Sequence, residues 1–281
     1  IGNRAIGAPI NIWNDHTDSM SMRDAGWIQL YAETNQEAAD LHIQAFRLAE
    51  ELSMPVMVCM DGFILTHAYE RLDIPTQAQV DAYLPPFEPR QVLDPQDPVS
   101  IAARVGPEAF MEVRYLAHHK QMRALELIPR LSQEFKQVFG RDSGGLIRTY
   151  RAEDAKTIVV ALGSVNGTIK DVIDELREEG HAIGAASICS FRPFPSDELH
   201  EILSHAKRLV VIEKSLAVGI GGIVSHNLRM ALSGISLHAY TVVAGLGGRA
   251  ITKASLRSLF ERALRDDLEP LTFLDLNQAA I

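Results

Sequence analysis

Cysteine is nearly absent from this chain: two residues in 281, Cys59 and Cys189. They lie too far apart to form the close spacings that hold zinc or an iron–sulfur cluster. Each sits in an apolar run, Val56-Met57-Val58-Cys59-Met60 and Ala186-Ser187-Ile188-Cys189, which predicts buried, reduced thiols in a cytoplasmic protein. Long hydrophobic runs are also missing. No stretch approaches the ~18 apolar residues of a membrane span, and no charged segment followed by an apolar one marks a signal peptide. Positive charge is in deficit: 27 Lys and Arg stand against 36 Asp and Glu, a net charge of -9, which argues against nucleic acid or a membrane surface as partner. No Gly-x-Ser-x-Gly elbow supports a serine hydrolase. The ten histidines include no His-x-x-x-His pair and no Cys/His cluster, and the neighbours His118 and His119 point apart on a helix, so no metal site is expected. A starting methionine is lacking too, and the chain is expected to enter at Ile1 inside a folded element.

What is present is globular: 47% hydrophobic and 22% charged residues, in a length that fits one large or two ordinary domains. Residues 1–83 read as α/β. Thr34-Asn35-Gln36-Glu37 has the capping-box pattern, and Ala38, Leu41, Ala45, Leu48, Ala49 and Leu52 follow at helical spacing. Pro55 to Met60 then reads as a buried strand ending at Asp61-Gly62, which suggests a parallel sheet covered on both faces. Loops after such strands carry sites. This places Asp61, Thr66 and His67 in a site-prone segment. Residues 84–110 carry Pro85, Pro86, Pro89, Pro95, Pro98 and Pro107 and read as an extended connector. A helix is expected over 111–139, with Pro129 as a kink or break. From residue 146 a second unit begins. Strands are expected at 157–162, 182–188, 208–212 and 237–243. Helices are expected after Gly163-Ser164 and near 196–205, 222–233 and 252–265. Strands alternating with helices imply a doubly wound parallel sheet.

Three segments invite a functional reading. Gly219-Ile220-Gly221-Gly222 opens a helix after a strand, but Val224 stands where a dinucleotide fingerprint needs its third glycine. The expected reading is a helix N-terminus packed closely on another backbone. Gly245-Leu246-Gly247-Gly248-Arg249 is a second glycine loop, suited to an interface as well as to a ligand. The third segment is the polar opening, Asn3-Arg4-Ala5 through Asn14-Asp15-His16-Thr17-Asp18. An arginine fork matches a carboxylate with two hydrogen bonds, and Asn14, Asp15, His16 and Asp18 are able to orient one another around a cleft. The same residues also suit a solvated loop with an Asx-turn.

These segments carry a family resemblance. Asn3 to Met20, Arg23 to Trp27, Asn35 to Ala38, Met60 to His67, Phe191 to Pro195 and Ala244 to Arg249 together resemble the alpha subunit of pyruvate:ferredoxin oxidoreductases, in order along essentially the whole chain. The resemblance implies the C-terminal part of a truncated thiamine-diphosphate-binding domain of the pyrimidine type over 1–83. A Pro-rich linker and helix would follow over 84–145, then a transketolase C-terminal-like domain over 146–281. It implies conversion of pyruvate, coenzyme A and oxidised ferredoxin to acetyl-CoA, carbon dioxide and reduced ferredoxin, or the reverse. Thiamine diphosphate with Mg2+ would sit at the interface with a beta subunit and supply the carbanion chemistry. The [4Fe–4S] clusters would belong to gamma- and delta-type subunits or fused domains, none being bound by this chain. Arg4 takes the role of the family's substrate-carboxylate arginine. Asn14, Asp15, His16, Asp18, Arg23, Asp61, Thr66 and His67 are expected to line or support the site.

The resemblance also sets limits. The family's Thr-Pro motif and the glutamate that activates the aminopyrimidine ring have no counterpart in this sequence. The chain alone is therefore expected to be inactive, and residues 1–83 to be poorly stable without a preceding segment. Two other readings stand beside the pyruvate one. The first is another 2-oxoacid as substrate: 2-oxoglutarate, a branched 2-oxoacid or oxalate. The second is a non-catalytic assembly module of such a complex.

Overall fold

The computed structural model describes residues 1–102 and 104–281, which form two α/β units around a shared core. The first unit contains strands β1 (Gly2–Asn3), β2 (Ile28–Tyr31) and β3 (Val56–Asp61), with helices α1 (Thr17–Ser21) and α2 (Asn35–Leu52). Helix α2 starts where the hydroxyl pattern predicts. Thr34 is extended and its Oγ1 accepts the Glu37 N–H at 3.1 Å. The Glu37 carboxylate turns back onto the Glu33 N–H at 2.7 Å, so the expected box is displaced by one residue. Ala38, Leu41, Leu48 and Leu52 are buried as their spacing requires.

Helix α3 (Gln77–Tyr83) was not legible in the hydrophobic pattern; its signal is the reciprocal cap between Thr76 and Gln79. Among the described residues of 84–109 there is no helix or strand beyond one isolated bridge between Asp94 and Asp97. Helix α4 (Phe110–Phe139) runs through Pro129 without interruption, which corrects the expected break there. Its buried stripe of Ala124, Leu127, Ile128 and Leu131 packs with Leu41, Leu48 and Leu52 of α2, and this packing outweighs the one lost backbone bond. No helix among the described residues is long and apolar enough to cross a membrane.

The second unit holds β4 (Ile147–Tyr150), β5 (Thr157–Ala161), α5 (Val165–Glu178), β6 (Ile183–Ile188), β7 (Ser190–Arg192) and α6 (Ser196–Leu203). It continues through β8 (Arg208–Glu213), α7 (Ile223–Ala231), β9 (His238–Val243), α8 (Lys253–Leu264) and β10 (Leu271–Phe273). Its sheet has the order β10-β9-β8-β5-β6-β4, parallel throughout except for β4. This is the doubly wound sheet that the alternating elements imply. Helices α5 and α8 cover one face.

The other face carries α6 and α7 and continues into the first unit through Met20, Tyr31, Met57 and Cys59. Strand β7 leaves the second unit's sequence to pair antiparallel with β2, giving a first sheet of order β1-β3-β2-β7. Burial of the first sheet between α2, α4 and the second unit explains why β2 is buried at every position. The strand order reverses between β5 and β8, and their carboxyl ends frame the crevice where such sheets take ligands.

Candidate functional site

The opening strand sets Arg4 at the surface and fixes its backbone from below. Asn3 is fully buried; its carbonyl accepts the Gly62 N–H at 3.0 Å. Its Nδ2 donates to Asp18 Oδ1 at 2.7 Å and to Ser19 Oγ at 2.6 Å, and Ser19 Oγ meets the Tyr31 hydroxyl at 2.7 Å. The other oxygen of Asp18 accepts the Arg4 N–H at 3.0 Å, and the Ala5 N–H donates to the Trp13 carbonyl at 3.1 Å. Residues 5–13 are thereby pinched into a surface loop. The Arg4 side chain is exposed and its guanidinium makes no hydrogen bond or ion pair among the described residues. The loop that follows it exposes apolar side chains, Ile6, Ile10, Ile12 and Trp13. Trp13 packs at 5.5 Å from Phe63, which stacks on His67 at 4.6 Å.

Asp61 is placed differently from the loop residues that follow it. It lies at the end of β3 with its carboxylate buried between the two units, in the crevice between β5 and β8. Oδ1 meets His16 Nε2 at 2.5 Å. Oδ2 accepts from the Lys214 ammonium, from the Ser164 hydroxyl and from the Ser164 N–H, the last at 2.9 Å. Ser164 opens α5, so an internal carboxylate sits where the helix end favours an anion. Burial alone raises the Asp61 carboxyl pKa. The charge of Lys214 and the His16 contact overcome this and hold it well below the usual carboxylate range. Hydrogen bonds from backbone amides tighten the same seam: His16 N–H to the Lys214 carbonyl at 2.6 Å, Gly248 N–H to the Asn14 carbonyl at 2.9 Å, and Leu216 N–H to Thr17 Oγ1 at 3.2 Å. The second glycine loop belongs to this seam. Gly248 has φ +83°, and a Cβ there would run into Trp13.

The first glycine loop is explained by Glu213. This buried carboxylate at the end of β8 accepts the N–H groups of Ile223, Val224 and Ser225 at 2.6, 2.8 and 3.0 Å, and the Ser225 hydroxyl as well. It therefore caps α7, whose own N-cap, Gly222, has no side chain to do so. A Cβ on Gly222 would meet the same carboxylate. The helix end packs on a carboxylate, rather than on a backbone as the sequence suggested.

The remaining expected residues separate into two groups. Asp15 Oδ1 accepts the Thr17 N–H at 2.8 Å in an Asx-turn, and Arg23 donates to the Met20 carbonyl at 2.9 Å. Thr66 Oγ1 accepts the Phe63 N–H at 2.8 Å and contacts His67 Nδ1 at 2.9 Å, both residues being exposed. Asn14 is fully buried, with no partner for Oδ1 or Nδ2 among the described residues. Arg4 and Asp18 are thus joined through the surface loop, and His16 and Asp61 through the buried seam. Lys214, Ser164 and Glu213 went unnoticed in the sequence. Their signal was positional: polar side chains at the carboxyl ends of β5 and β8.

Comparison with known proteins gives this geometry its class. A family model described as the thiamine-diphosphate-binding region of pyruvate flavodoxin/ferredoxin oxidoreductase matches residues 1–132, and one for pyruvate:ferredoxin oxidoreductase core domain II matches residues 155–256. The fold is that of a subunit of a thiamine-diphosphate-dependent oxidoreductase. The pyruvate synthase subunit PorA of Methanothermobacter thermautotrophicus is 41% identical over 262 residues, covering 92% of this chain and 68% of that one. The ketoisovalerate oxidoreductase subunit VorA of Pyrococcus horikoshii is 37% identical, covering 92% of this chain and 66% of that one. Among solved structures, 2-oxoglutarate:ferredoxin oxidoreductase from Magnetococcus marinus shares the fold. Its TM-score is 0.65 at 16% identity, over 93% of this chain and 47% of that one. The chain belongs to the pyruvate:ferredoxin oxidoreductase family and is its alpha-type subunit.

Proposed function

We propose that this chain contributes Arg4 as the substrate-carboxylate clamp of a pyruvate:ferredoxin oxidoreductase. The complex converts pyruvate, coenzyme A and oxidised ferredoxin to acetyl-CoA, carbon dioxide and reduced ferredoxin, or runs in reverse. The supporting observation is the contrast at Arg4: a backbone fixed by Asp18 and the Trp13 loop, and a guanidinium with no partner among the described residues. A bidentate fork held this way positions a 2-oxoacid while its carbon–carbon bond breaks. Thiamine diphosphate, when bound, supplies the carbanion chemistry.

The residues present fit the edge of that cofactor's site. The loop after Arg4 exposes Ile10, Ile12 and Trp13, and Trp13 packs on the exposed Phe63, an apolar surface suited to a covering subunit. Among the described residues no group of three or more His, Cys, Asp or Glu is placed to hold a metal ion. As the family resemblance implies, we assign the Mg2+ and diphosphate to a beta-type subunit, and the [4Fe–4S] clusters that pass electrons to ferredoxin to gamma- and delta-type subunits or fused domains. The two buried, unpaired thiols fit a reducing compartment, the cytoplasm.

The test is Arg4→Ala in the complete complex. Loss of the clamp lowers kcat/KM for the 2-oxoacid by the equivalent of about 2–5 kcal/mol and leaves the KM for coenzyme A in place. Arg4→Lys, with charge but no fork, recovers only part. Unchanged kinetics would refute the clamp and favour a purely architectural subunit. The VorA relative supports a branched 2-oxoacid as the alternative substrate, and comparing kcat/KM for pyruvate and 2-oxoisovalerate decides between them.

A further inference from the structure

Tyr31 is a fully buried phenol to which the clamp reading gives no role. Burial raises its pKa well above the ordinary value, so the hydroxyl keeps its proton and donates. Its ring is packed by His16 at 5.3 Å and edge-on by Phe191 at 6.2 Å. The hydroxyl lies 2.7 Å from Ser19 Oγ. Ser19 is buried too, and its Oγ also reaches Asn3 Nδ2 at 2.6 Å and the His16 carbonyl at 3.3 Å.

The protons of this chain have a complete assignment. Asn3 Nδ2 only donates, and its two N–H bonds go to Ser19 Oγ and to Asp18 Oδ1. Ser19 Oγ accepts from Asn3 and from Tyr31, and turns its own proton to the His16 carbonyl. Asp18 Oδ1 takes a second bond from the Ser19 N–H at 2.6 Å, and Oδ2 accepts the Arg4 N–H at 3.0 Å. Every donor on this carboxylate is an N–H, and among the described residues no cation pairs with it. Its charge is therefore spent on strengthening these bonds. The far end of the loop after Arg4 is tied separately: Trp13 N–H donates to Asn11 Oδ1 at 2.8 Å, and Asn11 Nδ2 donates to the Gly247 carbonyl at 3.1 Å.

The geometry points to Asp18 as the positioning residue of the Arg4 clamp, held in register by the buried chain Asn3, Ser19 and Tyr31. This inference rests on Arg4 being the clamp. Asp18 acts through the Arg4 main chain. It fixes where the long side chain starts, and so how far the fork reaches. Asp18→Asn is the same size yet does not fit the pattern. Its NH2 must face either the Arg4 N–H or the two donors on the other side, and one set of bonds is lost.

The experiment uses the complete complex with Asp18→Asn, Tyr31→Phe, Arg4→Ala and the double variant Arg4→Ala/Asp18→Asn. Asp18→Asn should lower kcat/KM for the 2-oxoacid about tenfold or more, as displacement of a holding group does, and leave the KM for coenzyme A in place. Tyr31→Phe keeps the ring and loses one neutral hydrogen bond, so a loss of about two- to fivefold is expected. In the Arg4→Ala background, Asp18→Asn should add less than about twofold, because the group it positions is gone. Hydrogen exchange on a peptide spanning residues 1–12 gives a readout without turnover: the Arg4 and Ala5 amides should lose protection in Asp18→Asn. Native mass spectrometry checks assembly, and Tyr31→Phe takes the place of Asp18→Asn in both measurements if that variant does not assemble. A loss that persists in full without Arg4, or unchanged exchange, would overturn the positioning role and leave the clamp standing. No kinetic effect of Arg4→Ala would overturn the clamp itself, and this role with it.

Discussion

Removing the Lys214 ammonium while leaving Asp61 in place tests whether the two units are latched by charge. The side chains are 2% and 0% exposed, so water does not screen the pair. Lys214→Met keeps the chain length and apolar stem. The stranded carboxylate retains the Ser164 N–H at 2.9 Å, the Ser164 hydroxyl and His16 at 2.5 Å. Breaking a buried pair from one side costs about 3–5 kcal/mol, and these retained bonds put Lys214→Met near the lower end, about 3 kcal/mol. Asp61→Asn strands the ammonium instead. Its remaining hydrogen-bond partner is Ser164 Oγ at 3.4 Å, and the expected loss is about 4–5 kcal/mol. The double variant removes both charges, so its loss should fall short of the sum by about 2 kcal/mol or more.

Urea unfolding followed by tryptophan fluorescence suits the question. Trp13 and Trp27 both lie in the first unit, while Lys214 belongs to the second. A shift of the tryptophan transition by Lys214→Met shows that the second unit holds the first. Single losses below about 1 kcal/mol, or losses that add in the double variant to within about 0.5 kcal/mol, would refute the latch.

Other outcomes follow from the same geometry. Gly222→Ala drives a Cβ into the Glu213 carboxylate and to 2.6 Å from Thr241 Cγ2, and should cost about 1–3 kcal/mol by thermal unfolding; no measurable loss would mean Glu213 is not held at that cap. Burial pushes the thiol of Cys59 up to about 12 and that of Cys189 up to about 11, so neither should react with a disulfide reagent at pH 8 until the protein is unfolded; prompt labelling of the native protein would contradict their burial. The Asp61 carboxyl pKa is depressed in the folded state. Its contribution is therefore complete above its unfolded pKa of about 3.9 and is lost as pH falls through the folded value. Stability measured from pH 7 to 2.5 should show no change from this group down to about pH 4 and a decline below it. Asp61→Asn should lack that part of the decline, and an identical acid slope in the variant would count against the cluster.

The sequence determined the local pieces. Continuous apolar runs specified β3, β5 and β8, because strands buried on both faces need no polar alternation. Val165, Ile169, Val172, Ile173 and Leu176, at helical spacing, specified the buried face of α5, and Thr34 specified where α2 starts. The polar opening around Arg4, with the motifs at Asp61 and Gly245, carried enough identity to point to the family. Periodicity reports which face a residue presents, and a cap reports where a helix begins. Both are short-range properties, decided within a few residues.

Only the tertiary structure decided the long-range partners. Asp61 reads locally as one more loop residue after a strand, yet its carboxylate meets an ammonium 153 residues away. Glu213 reads as the polar end of a strand and proves to cap the helix ten residues on. Strand β7 is three residues long and holds no periodic signal, and it joins the first sheet because β2 offers it an unpaired edge. Pro129 lies inside a helix because α2 packs against the turns beside it. In each case the deciding energy, desolvation of a charge or burial of a face, exists only once distant segments have come together. The sequence pattern carries no record of that distance.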